Sequence, residues 1–526
     1  MSPRGIGSVG AGLAAARSPR PIRGGERIHV VGAAGAGASA AALLARWAGA
    51  EVDGCDPGGA NPYTAALEAA GIDVASMHDA AHVRRAVPPE RLAVTKALTA
   101  IAPDHPELSA ARELGIPLEP WQQVVADAAA GRRLAAVAGT HGKSTTAGWL
   151  VHVLVEAGAD PGAFVGALMP AALTGIGLPA TARRGTGHAF VVEADEYAGN
   201  FDPYLPAVTV LTSAEWDHPD VFADRAAVLD AFEAWIRRSA VGDVDTRPVL
   251  VANVGDPGVA EIAERLTDWP GRIVATAVED PASRDGGAAF ARETAERFRT
   301  ATGQATLLLG RLAAADPDAT RIEVTGLDGA AGSVPVRLAT AGRHNVANAL
   351  GVAGAAVVLG VSPDAVVSGL GSFRGVGRRL ERKGEARGVV VYDDYGHHPT
   401  AIRETLAAIR QREPGRRVWA VYEPLTYHRT AAMLDAFAVE LARADAVAIA
   451  DIWAGRDPDT TITSAQALVD AVSRVDAAVV AAAPGSVEQT AHWLSQEVRA
   501  GDAVLVMGGG RSYRIGELLL EELERS

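Results

Sequence analysis

From Ile28 to the C-terminus, short apolar runs that read as buried strands alternate with amphipathic stretches that read as helices. Such a chain covers its sheets with helices, so an α/β architecture with parallel sheets is the default. The chain has 526 residues, and at roughly 100–200 residues per domain this predicts about three domains. With 48% hydrophobic and 21% charged residues, it has the ordinary balance of a soluble protein with sizeable cores. The lone cysteine, Cys55, excludes a disulfide framework and any Cys-based zinc cluster, and favours a reducing cytoplasm.

No apolar run reaches the roughly 18 residues that a membrane span needs. Residues 1–25 set Arg4, Arg17, Arg20 and Arg23 around a small Gly/Ala/Val patch, too weakly hydrophobic for a signal-peptide core. They are expected to be a disordered tail, or residues preceding the true start. The net charge of −14 argues against a general nucleic-acid surface. Among the 49 basic residues only Lys96, Lys143 and Lys383 are lysines. Each invites the question of what arginine could not do there.

Lys143 answers it. Leu134-Ala-Ala-Val-Ala reads as a buried strand, Gly139-Thr-His-Gly-Lys-Ser-Thr-Thr follows, and a helix then carries Trp149, Leu150, Val153 and Leu154 on its apolar side. Strand, glycine loop and helix together wrap backbone N–H groups around phosphate oxygens. Lys143 supplies a compact charge for the β- and γ-phosphates, and the Ser144 hydroxyl can bind Mg²⁺. Val137 stands where the usual loop has its first glycine, and the bland alternative is a glycine-rich turn with a surface lysine.

Two further strands run into acids. His188-Ala-Phe-Val-Val leads into Glu193-Ala-Asp-Glu196, and Ala207-Val-Thr-Val-Leu-Thr leads into Glu215-Trp-Asp-His218. Ligands in open α/β sheets sit beyond the carboxyl ends of strands, so both clusters should face the phosphate loop. Glu193 is the natural Mg²⁺ ligand, with Glu196 in support; His218 is unusual for magnesium on softness grounds. The alternative is that these acids cap helices or meet arginines.

Near the N-terminus, Arg27-Ile-His-Val-Val reads as a strand, followed by Gly32, Gly35 and Gly37 and an alanine-rich helix. A second strand reaches Asp56, 19 residues after Gly37. This is a Rossmann-like start with an acid placed for a ribose or base. Its glycine order departs from the dinucleotide fingerprint, so NAD binding, UDP-sugar binding and tight packing all fit.

Taken together, the chain resembles the Mur ligase family from Arg27 to about Leu523. The resemblance rests on seven motifs in family order: Gly139 to Thr146, Glu193-Ala-Asp-Glu-Tyr, Asp217-His218, Asn253-Val-Gly-Asp-Pro, Gly342-Arg-His-Asn-Val-Ala-Asn348, Phe373 to Glu381, and Asp393-Asp-Tyr-Gly-His-His-Pro-Thr400. Gly32 to Gly37 with Asp56, His397-His398, Tyr427 with Arg429, and Met507-Gly-Gly-Gly510 resemble its alanine-adding branch. The resemblance implies three domains: a Rossmann-like UDP-binding domain, a P-loop ATPase-like central domain and a Rossmann-like C-terminal domain that brings the amino acid. It implies ATP and Mg²⁺ as cofactors, and UDP-N-acetylmuramate with an amino acid, alanine first, as substrates.

By the same resemblance Gly139, Thr140, His141, Gly142, Lys143, Ser144, Thr145, Asn345, Asn348, Arg379 and Asp394 contact the nucleotide. Gly32, Gly35, Gly37, Asp56, Tyr395, Tyr427 and Arg429 contact the other substrates. His218 joins Ser144 and Glu193 as a metal ligand, and Lys143, His397, His398 and Arg429 are the catalytic candidates. Several family members carry a carbamylated lysine after the second acid motif; here no lysine lies between Lys143 and Lys383.

Three departures bear on the substrate. Leu425 and Thr426 replace a usual His-Arg pair, Ser213 replaces asparagine, and Arg511 replaces an acid. Alanine affinity is therefore expected to be weaker, unless Arg429 or Arg456 compensates as partner of the amino-acid carboxylate. Domains are expected at 26–130, 131–375 and 376–526. The third is expected to hold strands Val389–Tyr392, Val418–Tyr422, Ala446–Ile452 and Ala503–Met507, and a helix after Pro399. A tripeptide-adding recycling ligase is the alternative within the family; an NAD-dependent oxidoreductase or a non-catalytic UDP-sugar sensor lies outside it.

Overall fold

The computed structural model describes residues 9–239, 247–279, 297–327, 332–455, 457 and 459–525. Three sheets organise them. The first is wholly parallel, with Val74–Ala75, Glu51–Cys55, Arg27–Val31, Arg91–Val94 and Leu118–Pro120 side by side. Its order reverses at Arg27–Val31, which places the turn after that strand at the ligand-binding crevice of an open α/β sheet. The helix Ala36–Trp47 covers one face, with Ala38 to Ala45 all buried.

The second sheet has ten strands. Arg133–Ala138 lies between Ala189–Ala194 and Val208–Leu211, all three parallel. The loop after the first of them is therefore flanked by the carboxyl ends of both acid-bearing strands. Antiparallel pairing closes the two edges: Ala180–Arg183 at one, and Ala319–Thr325 with Ser333–Leu338 beyond the parallel strand Thr306–Asp316 at the other. Periodicity alone does not reveal these edges, because they are short or half exposed.

The third sheet has six strands, and the four expected ones are all present, as Val389–Asp394, Arg417–Glu423, Ala446–Ala450 and Asp502–Gly508. The antiparallel edge Glu381–Ala386 and the parallel edge Val480–Gly485 complete it. The helix Pro399–Arg412 buries Ile402, Leu406 and Ile409. Among the described residues no helix is long and apolar enough to cross a membrane.

Residues 9–25 correct the expectation of a disordered tail over 1–25. Val9 and Ile22 pack against one apolar core and Leu13 against another. Arg17 bridges Glu119 at 2.8 Å and Asp127 at 2.7 Å, and Arg20 meets Glu26 at 2.6 Å. These acids are buried, so their charges need partners. Residues 1–8 and Arg456 lie outside the described residues.

Candidate active site

The phosphate loop has the conformation its glycines allow. Gly139 (φ +132°) passes so close to the next strand that a Cβ would fall 2.3 Å from Thr212 Oγ1. At Gly142 (φ +80°) a Cβ would meet Asn348 Oδ1 at 2.7 Å. The loop is pinned by the segment after Val208–Leu211: His141 N donates to Ser213 Oγ at 2.8 Å, and Glu215 N to Thr140 Oγ1 at 2.9 Å. Ser213, the departure from asparagine, thus holds the loop directly. Asn345 and Asn348 are buried and joined at 3.2 Å. A Gly142→Ala variant is expected to lose about 1–3 kcal/mol of stability, from strain and the Asn348 clash; thermal unfolding checks it.

Around the loop the structure brings together much of what the sequence nominated. Ser144 Oγ donates to Glu193 Oε1 at 2.9 Å, and Gly166 N to Glu193 Oε2 at 2.5 Å. A Cβ at Gly166 would lie 2.9 Å from that carboxylate, so its glycine makes room for the acid. Lys143 Nζ donates to Gly139 O at 2.6 Å and to Glu196 Oε2 at 3.1 Å. Burial opposes the ammonium charge, but Glu196, Asp195 and Glu193 raise its pKa. His218 sits with Asp195 and Glu196 in a second donor group, with Nε2 3.9 Å from Glu196 Oε1. Its backbone holds φ +55°, a strained value for a non-glycine residue. The metal candidates therefore form two adjacent groups, Ser144 with Glu193 and His218 with Glu196, joined through Lys143. Asp195 is a member that sequence reasoning left without a role.

The third domain reaches into this loop. Arg379 Nη2 donates to Ser144 Oγ at 2.8 Å, across 235 residues of sequence. Arg378 and Leu380, on either side of it, hold φ +57° and +49°. Asp394 clamps this turn by accepting from Leu380 N and Gly396 N, each at 2.7 Å. Tyr395 lies under both guanidinium groups, 5.0 Å from Arg378 and 5.2 Å from Arg379. Asp394 and Tyr395 thus position Arg379 here.

The two histidines separate by geometry. His398 caps the helix Pro399–Arg412: its Nδ1 accepts from Thr400 N and its Nε2 faces Trp216 O, both at 3.3 Å. Both nitrogens are engaged, which removes His398 as a proton acceptor in this arrangement. His397 uses only Nδ1, 2.8 Å from Tyr395 O, leaving Nε2 as acceptor. Burial, then Arg429, pushes its pKa well below the usual imidazole range, so it is neutral at neutral pH. Arg429 is buried and ion-paired with buried Asp217, while its Nε has no hydrogen-bond partner. Tyr427 opens the short helix Tyr427–Ala432 that carries Arg429.

Three strand ends surround the neighbouring cleft: Asp394, Glu423 and Gly508. Leu425 bridges to Trp453, and Thr426 N donates to Trp453 O at 2.9 Å, so the replaced His-Arg positions give this rim an apolar wall. Glu423 is buried, its Oε2 is unpartnered, and a Cβ at Gly510 would lie 2.8 Å from it. Burial pushes its pKa up to about 7. Because the folded value lies above the ordinary 4.5, the favourable contribution is full below 4.5 and lost as pH rises through about 7. Glu423→Gln is therefore expected to stabilise the protein above neutrality, by up to roughly 3 kcal/mol, with the effect fading through mildly acidic pH and absent below about 4.5. Unfolding measured across pH checks this.

In the first domain Gly32 (φ +74°) and Ala33 donate to Cys55 O at 2.9 and 3.0 Å, and Gly35 caps the helix Ala36–Trp47. Asp56 accepts from Ala34 N at 3.1 Å and from Gly58 N at 2.8 Å, so it orders the turn. Gly37 has a packing reason: a Cβ there would lie 2.2 Å from the Trp121 ring. Lys96 Nζ donates at 2.8 Å to the carbonyls of Ala198 and Gly199, tying this domain to the segment after the first acid cluster.

A phosphate loop flanked by buried carboxylates, with an arginine from a third domain laid on its serine, defines a nucleotide-dependent enzyme assembled from three units. Family models agree over the whole length: the Mur ligase family catalytic domain matches residues 27–133, the Mur ligase middle domain 137–356, and the Mur ligase glutamate ligase domain 378–510. The chain belongs to the Mur ligase family, a family of ATP-dependent ligases. It is 37% identical over 518 residues to the UDP-N-acetylmuramate–L-alanine ligase of Frankia casuarinae, covering 95% of this chain and 98% of that one. Among solved structures it is similar to the UDP-N-acetylmuramate–alanine ligase of Thermotoga maritima, with TM-score 0.71, 22% identity and coverage of 95% and 99%. The murein peptide ligase of Psychrobacter arcticus gives TM-score 0.68 and 25% identity, at the same coverage.

Proposed function

We propose that this chain joins L-alanine to the carboxylate of UDP-N-acetylmuramate, using ATP and Mg²⁺, in the cytoplasm where both nucleotides are available. We place its domains at 26–130, 131–375 and 376–526, with residues 9–25 packed on the first. The observation that carries the reading is the meeting of Lys143, Ser144, Glu193 and Arg379 at one point. It gathers a phosphate cradle, a hard-oxygen cation site and an arginine from the third domain around a single reacting group.

A carboxylate does not condense with an amine in water, because hydroxide leaves poorly. Attack of the muramate carboxylate on the γ-phosphate gives an acyl phosphate and ADP. Attack by the amine then releases inorganic phosphate. Lys143 and Arg379 face the charge that develops on the phosphoryl oxygens. Ser144 and Glu193 offer the oxygen donors that magnesium prefers, with His218 and Glu196 beside them. Mg²⁺ would neutralise phosphate charge there. Nε2 of neutral His397 takes the proton that the amine loses. The unpartnered Nε of Arg429, with Tyr427 near it, is placed for the amino-acid carboxylate. The turn from Gly32 to Asp56 offers backbone N–H groups to the UDP moiety.

Glu193→Gln and His218→Ala are each expected to raise the Mg²⁺ concentration for half-maximal rate; unchanged titrations in both would remove that site. For the donor, turnover is expected with alanine leading, followed by serine and glycine, since one methylene discriminates by only ~1–3 kcal/mol. The test is competition among these three and the L-alanyl-γ-D-glutamyl tripeptide, scored by product mass. Coupling of the tripeptide alone would make the recycling ligase the right reading.

A further inference from the structure

We infer that the first domain holds a second metal site, for a transition-metal ion of the zinc class, formed by His29, Cys55, His82 and Glu107. The four come from separate elements on one side of the first sheet: the strands Arg27–Val31 and Glu51–Cys55, the turn Ala80–His82 and the helix Pro106–Glu113. One donor atom from each lies within 4.8 Å of all the others. Glu107 Oε1 is 2.6 Å from His82 Nδ1 and 3.5 Å from His29 Nε2, and Glu107 Oε2 is 3.0 Å from Cys55 Sγ. The cysteine is alone in the sequence, which forbids a cluster of cysteines; here it meets imidazoles and a carboxylate instead.

Hydrogen bonding accounts for only part of this group: Cys55 Sγ also lies 3.1 Å from His78 Nδ1, and Glu107 accepts from Asp79 N at 3.3 Å. Glu107 and Cys55 are fully buried and His29 is 1% exposed. His29 Nε2, directed into the cluster, makes no hydrogen bond, and neither nitrogen of buried His105 beside it makes one. Buried polar atoms are nearly always partnered, so these orphans point to an absent partner with affinity for lone pairs. The outer contact has the form that metal-bound histidines adopt: His29 Nδ1 lies 2.8 Å from Asp53 Oδ1, so in the neutral ring Nδ1 carries the proton and Nε2 is the inward lone pair. Strand pairing builds that contact in, because His29 and Asp53 are register partners. Two nitrogens, one sulfur and one carboxylate oxygen suit zinc rather than magnesium. His82 and His78, each about a quarter exposed, give access. The Cys55 carbonyl anchors Gly32 and Ala33, so a bound ion would brace the turn proposed to receive UDP.

The test is cobalt titration of the chelator-treated full chain in excess Mg²⁺. The expected result is one equivalent of Co²⁺, tetrahedral visible bands and a thiolate-to-cobalt charge-transfer band in the near ultraviolet, all displaced by Zn²⁺. Cys55→Ser should abolish the charge-transfer band, and Asp53→Asn should weaken binding by ~10–100-fold. In the unaltered chain, Zn²⁺ should also protect Cys55 from a thiol reagent under partial unfolding, which keeps the test decisive if the variants fail to fold. Cobalt binding without a charge-transfer band, or a band that survives Cys55→Ser, overturns the site.

Discussion

Lys143→Ala is expected to cut ADP release by ~10²–10³-fold while leaving the folded state intact, since a lost contact to a transferring phosphoryl group typically costs that much. The side chain is mostly buried beside the loop, and its ammonium is shared between the Gly139 carbonyl and Glu196. Three carboxylates keep it charged against burial, so it stands ready to move from acid to phosphate when a triphosphate enters. Lys143→Arg should rescue little, because a planar guanidinium fills the cradle differently from a compact ammonium. Single-turnover ADP release with parallel thermal unfolding separates chemistry from folding. Near-normal release in the alanine variant means that the loop does not bind phosphate.

The second large effect is expected at Arg429. Arg429→Ala leaves Asp217 buried without its guanidinium partner, and breaking a buried pair from one side costs about 3–5 kcal/mol. Asp217 belongs to the central domain and Arg429 to the third, separated by 212 residues. The cost therefore falls on the docked arrangement more than on either domain. Turnover per amino donor should drop by at least ~10²-fold, each 1.36 kcal/mol being a factor of ten. Solution scattering should show a more open particle. Asp217→Asn on the same background is expected to recover part of the loss, since the unpaired charge is then gone. A closed particle with unchanged kinetics would sink the assignment.

What the sequence made legible is local. The loop from Gly139 to Thr146 could be read because its strand, glycines and helix are contiguous, and the sheet order then brought Glu193 and Glu215 beside it. Contacts between distant segments left no local trace. Nothing in the run Arg378-Arg379-Leu380 says that Arg379 ends on Ser144, since that depends on a strained turn held by Asp394. Residues 9–25 looked tail-like because their composition is poor in large apolar groups; their order comes from a few apolar contacts and from buried acids, two of them about a hundred residues away. The spacing of His29, Cys55, His82 and Glu107 follows no compact motif, because they sit on two strands, a turn and a helix.

The contacts that dock the third domain on the second are mostly polar: Arg379 with Ser144, Thr400 with Glu215, His398 with a carbonyl, Arg429 with Asp217. Neutral hydrogen bonds exchanged against water contribute about 0.5–1.5 kcal/mol each and those to charged groups about 1.5–3 kcal/mol, and the cost of ordering two domains opposes them. Such a seam between joined and parted forms is held by a few charged contacts. Its position is then set by whatever binds across it, and a ligand shifts it only by its difference in affinity for the two forms. Salt, which screens exposed charges, should act on domain opening more strongly than on the stability of any single domain.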